Sequence, residues 1–151
     1  MFENLLDETY QKITSWLIYY NISVERESKG IKINFAEIDI HGDISIESIE
    51  KKITPKTKMI SITHLSNVTG AILPVKEIIQ LAHSKGIPLI VDATFTTPAL
   101  QKSLDFGADI VVHSLTKWMS GHGRVIAGAV IEKGGFEWGN GNFPLYDTPD
   151  T

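Results

Sequence analysis

Short apolar runs rich in β-branched residues alternate with helical periodicity through the middle of the chain, and this restricts the fold more than any other feature. The runs predicted to be strands are residues 58–63, 88–92, 109–113 and 125–131. Between the first two strands, apolar residues recur at helical spacing from Val75 to Ala82, with Pro74 before them and Gly86 after. Strands that alternate with helices predict an α/β fold, with a mostly parallel sheet covered by helices on both faces.

Other segments give weaker local signals. Residues 3–20 have the pattern of an amphipathic helix, residues 31–35 alternate like a strand, and residues 46–53 and 101–106 are predicted to form short helices. The Gly-rich and Pro-rich segment after residue 133 is predicted to be an irregular loop. A length of 151 residues fits a single domain, residues 1–151.

The composition excludes several classes of function. The chain has no cysteine, which rules out disulfides, thiolate metal sites and a cysteine nucleophile of its own. A net charge of −4 gives no electrostatic case for binding nucleic acid or an anionic membrane. The apolar runs are too short to span a membrane, and the acidic N-terminus is unlike a signal peptide, so a cytoplasmic location is expected. No cluster of His and Asp has the spacing of a metal site, so no metal is predicted.

Polar side chains end or follow three of the predicted strands, at the end of the sheet where open α/β folds bind their ligands. These residues are His64 and Asn67, then Asp92 and Thr94, then His113, Ser114, Thr116 and Lys117. An amine, a carboxylate and hydroxyls in one place suit pyridoxal 5′-phosphate (PLP), which needs a lysine for an imine, an acid for its ring nitrogen and donors for its phosphate. Each residue also has an ordinary structural interpretation, as a solvated lysine, a turn aspartate, a capping hydroxyl or a buried histidine.

The segment around Lys117 favours the cofactor. ADIVVHSLTKWMSGHG, residues 108–123, resembles the cofactor-lysine signature of the PLP-dependent enzymes of cysteine and methionine metabolism, and the preceding VDATFTTP and later GGFEWGNGNFP extend the similarity. The resemblance implies that Lys117 is the Schiff-base lysine, that Asp92 pairs with the pyridine nitrogen, and that Ser114 and Thr116 bind phosphate, with Thr94 also at the cofactor. Leu115 and Ala93 depart from the family pattern, which has a small residue and an asparagine there.

The earlier half of the chain resembles a second family. Residues 30–86, with the stretch HLSNVTG, are similar to the cysteine desulfurases of the class V aminotransferase type. That similarity implies that Asn67 lies near the cofactor, although Phe95 stands where that family has a glutamine. A desulfurase also needs a cysteine thiolate, which the chain lacks. Both families share the fold-type I large domain, so either resemblance implies a piece of that domain.

The resemblance over residues 30–147 implies a PLP-binding core of the O-acetylhomoserine sulfhydrylase, cystathionine γ-synthase or methionine γ-lyase type. Such enzymes carry out γ-replacement or elimination on an amino-acid substrate through the cofactor lysine, and a homo-oligomer is expected. The N-terminal segment and the C-terminal small domain of the family have no counterpart in the chain, so its activity as an enzyme is left open. Two alternatives are a cysteine desulfurase-like protein and a non-catalytic fragment or an engineered, recombined scaffold.

Overall fold

The computed structural model describes residues 32–143, and the predicted helix at residues 3–20 therefore lies outside the described residues. The chain divides into two compact units, residues 1–52 and residues 53–151. The prediction of a single domain stays a prediction. Among residues 32–143, no helix is long and apolar enough to cross a membrane.

In the first unit, the described residues contain one short helix, α1 (Ile46–Glu50). The Ser45 side chain accepts a hydrogen bond from the Ser48 backbone N–H, which caps the first turn. The helix ends before the predicted Ile53, because Thr54 precedes a proline and is disfavoured in helical conformation. A helix as far as residue 53 was therefore a wrong prediction.

The predicted strand at residues 31–35 is also wrong for the described residues 32–35, which form no strand. A strand needs a neighbour that pairs with its backbone, and among the described residues no strand pairs with this segment. The Asn34 side chain donates to the Lys52 carbonyl at 3.2 Å, and the Glu37 N–H donates to Ser48 Oγ at 2.8 Å. An isolated bridge between Ile38 and Ile44 is all the β pairing that is described in this unit.

The second unit contains a four-stranded sheet in the order β1-β2-β3-β4. Its strands are β1 (Ile60–Thr63), β2 (Leu89–Asp92), β3 (Ile110–Ser114) and β4 (Gly128–Glu132). The first three strands are parallel and β4 runs antiparallel to β3. The predicted mostly parallel α/β sheet is therefore confirmed.

One face of the sheet forms the core of this unit. The strand register brings Ile62, Val91 and Val111 side by side, and all three are buried. Helix α2 (Val75–Ser84) packs on β2 and buries an apolar stripe of its own. That stripe consists of Val75, Ile78, Ile79 and Ala82. The periodicity seen in the sequence thus corresponds to the buried side of this helix.

Helix α2 ends as its sequence predicts. Lys85 is the C-cap residue and Gly86 follows with φ +66°, a left-handed conformation that glycine adopts without steric cost. The Gly86 N–H donates to the His83 carbonyl and the Ile87 N–H donates to the Ala82 carbonyl, both at 3.0 Å. These bonds satisfy carbonyls that the end of the helix would otherwise leave unpaired.

The last predicted helix is displaced. Helix α3 covers Thr97–Leu100, whereas the predicted helix at residues 101–106 does not form. Residues 103–107 make successive turns instead, because Ser, Asp and Gly favour local backbone bonding over a continued helix. The segment after residue 133 is irregular as far as residue 143, as predicted, and three of its rings pack edge to face.

Candidate functional site

The parallel strands bring the sequence-predicted polar residues to one edge of the sheet. Asp92, the last residue of β2, lies between Thr63 of β1 and Val112 of β3 in the register. Because side chains alternate along a strand, Asp92 and Ser114 lie on the same face of the sheet, opposite the buried face that carries Val91. Both residues are half-buried, so this face is accessible to a ligand.

Thr94 connects the two strand ends. Its backbone N–H donates to Asp92 Oδ1 at 2.9 Å, and its Oγ1 accepts from the Ser114 N–H at 2.8 Å. The Thr94 residue is 9% exposed. The carboxylate at the end of β2 and the backbone at the end of β3 are thus held by one threonine.

Lys117 lies in the turn that follows β3. Its backbone N–H donates to the Ser114 carbonyl at 3.2 Å, which folds the chain back towards the end of the strand. The hydroxyl of Ser120 lies 3.1 Å from the Thr116 carbonyl oxygen and accepts from the Gly123 N–H at 3.2 Å. The Lys117 side chain is exposed, and its amine has neither a hydrogen bond nor an ion pair to any residue within 32–143.

The two hydroxyls predicted to bind phosphate differ in their surroundings. The Thr116 hydroxyl accepts from the Ala127 N–H at 3.0 Å and lies 3.3 Å from the Ala127 carbonyl oxygen. It therefore bonds the segment that leads into β4, and its proton would have to turn from that carbonyl to reach a phosphate. The Ser114 hydroxyl has no such bond to another described residue and is the freer donor.

Asn67 and His64 both follow β1, but one side chain is exposed and the other is buried. Asn67 is exposed, in a loop closed by the bridge between Leu65 and Ile72. His64 is buried, with Nδ1 2.9 Å from Ser103 Oγ and its ring 5.8 Å from that of Phe106. Burial lowers the pKa of His64, so the ring favours its neutral form. His64 is thus a structural residue of the core.

Two aromatic side chains in the turns after β2 and β3 contact each other, and the sequence did not assign them to the site. The Phe95 and Trp118 rings meet edge to face with centroids 6.2 Å apart. Phe95 follows the β2 acid and Trp118 follows Lys117, so the ring pair joins the two turns that carry the candidate site. Phe95 directly follows Thr94 and Trp118 directly follows Lys117, and this adjacency in the sequence was the signal that could have identified them.

The groups at this edge match the chemical needs of PLP. An amine with no described partner can form an imine with an aldehyde, a half-buried carboxylate can hold a proton on a ring nitrogen, and hydroxyl and N–H donors can bind an anion. Within residues 32–143 no group of three or more His, Asp or Glu side chains could hold a metal ion. The amine, the carboxylate and the hydroxyl groups at this edge fit an organic phosphorylated cofactor.

Comparison with known proteins agrees with this chemistry. Residues 15–147 match the family model described as Cys/Met metabolism PLP-dependent enzyme. The O-acetyl-L-homoserine sulfhydrylase of Leptospira meyeri is 38% identical over 121 residues, which cover 80% of this chain and 26% of that protein. The cystathionine beta-lyase of Bacillus subtilis is 39% identical over 104 residues, 69% of this chain and 25% of that protein.

A solved structure is similar as well. The crystal structure of an O-acetylhomoserine (thiol)-lyase from Campylobacter jejuni superposes with a TM-score of 0.59 and 39% sequence identity, and covers 61% of this chain and 23% of that one. That crystal structure contains N′-pyridoxyl-lysine-5′-monophosphate. At this level of identity the likeness shows the fold-type I architecture.

The fold and the match together define a class: the fold-type I architecture of PLP-dependent enzymes. The chain belongs to the family of PLP-dependent enzymes of cysteine and methionine metabolism. The family match runs through residues 30–86 as well, so one family accounts for both halves of the sequence, including the half that resembles cysteine desulfurases. The chain spans about a quarter of the length of the relatives it matches.

Proposed function

We propose that this chain supplies the lysine-bearing part of the PLP site of a sulfur amino-acid enzyme that performs γ-replacement or elimination. The observation that carries the proposal is the arrangement at one sheet edge, where Asp92 and Ser114 share a face and Lys117 follows in the next turn. The relatives support the reaction class, since they include sulfhydrylases and a cystathionine beta-lyase.

Each residue has a distinct role in this proposal. The Lys117 amine holds the cofactor and then carries a proton to and from the substrate Cα. Asp92 keeps the ring nitrogen protonated, and its orientation is set by the Thr94 N–H at 2.9 Å. The Ser114 hydroxyl donates to the phosphate, with Thr116 as a second donor and Asn67 near the ring. Bound PLP supplies an electron sink for negative charge that develops beside the substrate amino group.

The substrate class follows from the same relatives. An activated homoserine ester or a thioether amino acid is the proposed substrate, because the similar proteins are named for such compounds. Assembly into a homo-oligomer in the cytoplasm completes the proposal. The exposed Lys117 amine is consistent with a site that further protein surface closes, since water must be kept from the reacting atoms.

Chemical trapping tests the proposal directly. The chain is incubated with PLP, reduced with borohydride and digested, and mass spectrometry locates the pyridoxyl group. We expect the label on Lys117 in preference to other lysines, together with a visible absorption band before reduction that is lost in Lys117→Ala.

The matched control is Lys102→Ala, which removes another exposed lysine of the same unit. This variant should keep both the band and the label on Lys117. A label spread evenly over the surface lysines, or a band that survives in Lys117→Ala, would show that Lys117 is not the cofactor lysine.

A further inference from the structure

The parallel ladder between β2 and β3 breaks at its carboxyl end in an unusual way. The Ala93 N–H donates to the Val112 carbonyl at 3.0 Å. In a regular parallel ladder the Ser114 N–H would then donate to the Ala93 carbonyl. That carbonyl instead accepts from the Thr97 N–H at 2.9 Å and from the Thr96 hydroxyl at 3.2 Å. The Ser114 N–H therefore loses its backbone acceptor where the chain turns away from β2.

The Thr94 side chain replaces the missing acceptor. Its Oγ1 lies 2.8 Å from the Ser114 nitrogen, a short bond for a neutral pair, and it is buried with the residue. Without this hydroxyl, a partly buried N–H would be left unpaired at the last residue of β3. The Thr94 hydroxyl thus supplies one more hydrogen bond between the β2 and β3 segments, beyond the end of their backbone ladder.

The turn that diverts the Ala93 carbonyl is itself strained. Thr97 has φ +52°, and among residues 32–143 it is the one non-glycine residue with a positive φ. A β-branched residue in this conformation costs free energy and persists where the surrounding bonds determine it. The strain indicates that the hydrogen bonds at this end of β2 hold one specific arrangement.

We infer that Thr94 is a positioning residue, whose hydroxyl holds the phosphate-binding segment from Ser114 to Thr116 in register with Asp92 and does not itself contact the cofactor. This inference rests on the proposed function, and it changes the role that the resemblance implied for Thr94. The Thr94 backbone N–H, and not its side chain, donates to the Asp92 carboxylate. The Thr94 hydroxyl therefore acts only on the segment that begins at Ser114.

That asymmetry gives a test with two ligands. The affinities of the chain for PLP and for pyridoxal, which lacks the phosphate, are measured by absorbance titration for the wild type, Thr94→Val and Thr94→Ser. We expect Thr94→Val to weaken PLP binding about tenfold, the effect of one lost hydrogen bond, and to leave pyridoxal binding nearly unchanged. Thr94→Ser keeps the hydroxyl and should bind PLP as the wild type does.

A second readout needs no cofactor. Amide hydrogen exchange at Ser114 in the cofactor-free chain should be faster in Thr94→Val and unchanged in Thr94→Ser. Thr94→Ala replaces Thr94→Val in both measurements if the valine variant does not fold.

The outcomes separate the two proposals. Suppose that the wild type binds PLP and that Thr94→Val weakens the binding of PLP and pyridoxal equally, or leaves both unchanged. Either result would overturn the positioning role and leave the cofactor assignment standing. Failure of the serine variant to restore PLP binding would overturn it too. No PLP uptake by the wild type would refute the proposed function, and the role of Thr94 with it.

Discussion

The buried histidine His64 makes the stability of this chain depend on pH. His64 is 2% exposed, and burial lowers its pKa below the usual value of about 6.5. The unfolded chain therefore binds more protons than the folded chain in the window below about pH 6.5, so the free energy of unfolding falls as the pH drops through it. Urea unfolding at several pH values from about 7.5 down to about 5 should show this loss.

Two variants isolate the residue. His64→Gln removes the titrating ring and should flatten the dependence of stability on pH in that window. His122→Gln removes an exposed histidine and should leave it as in the wild type. If the slope persists in His64→Gln, another group causes it and the assignment to His64 is wrong.

Helix α2 ends at a glycine whose backbone conformation disfavours a side chain. Gly86→Ala places a Cβ in the left-handed region at φ +66°, and its nearest neighbours are ordinary contacts, 3.6 Å from Asn142 Nδ2 and 3.7 Å from Asn140 Nδ2. The expected loss is about 1–2 kcal/mol in the free energy of unfolding, which comes from backbone strain alone. Denaturant titration of both chains measures it.

Gly128→Ala is the matched control. Gly128 is outside the left-handed region, and an added Cβ would lie 3.7 Å from the His113 carbonyl oxygen, again an ordinary contact. Its effect should therefore be within about 0.5 kcal/mol. Equal losses in the two variants would mean that the backbone of Gly86 is not strained by a side chain.

At the scale of the whole molecule, the surface beside β4 should drive self-association. β4 pairs with β3 along one edge, and the apolar side chains of Ile126, 97% exposed, and Val130, 73% exposed, lie on or beside it. Among the described residues β4 is the edge strand of the sheet, and exposed apolar surface next to an edge strand favours contact with another chain. Sedimentation velocity across a concentration series should show oligomers that Ile126→Asp reduces.

The comparison variant is Ile72→Asp, which places the same charge at another exposed isoleucine, 64% exposed, in the loop after β1. It should associate like the wild type, because the added charge alone is not expected to separate the chains. A wild type that stays monomeric at every concentration would contradict the prediction, and so would equal effects of the two variants.

What the sequence determined by itself was local or carried by a motif. The periodicity of α2, its stop at Gly86 and the strand that ends at Asp92 follow from residue spacing and turn chemistry, and the next strand was predicted to end at His113, one residue before its end in the structure. The signature around Lys117 indicated the family that the comparisons confirm. The roles of Lys117, Asp92 and the other site residues stay predictions that the proposed experiments test.

Tertiary structure decided the rest, because it depends on partners that are distant in the chain. The antiparallel β4, the absent strand at residues 32–35 and the displaced α3 depend on which backbone groups find neighbours. No local pattern shows that Thr94 bonds a residue 20 positions away, or that the Thr116 hydroxyl is held by Ala127. A buried N–H must be paired, and only the folded chain determines which oxygen lies within reach.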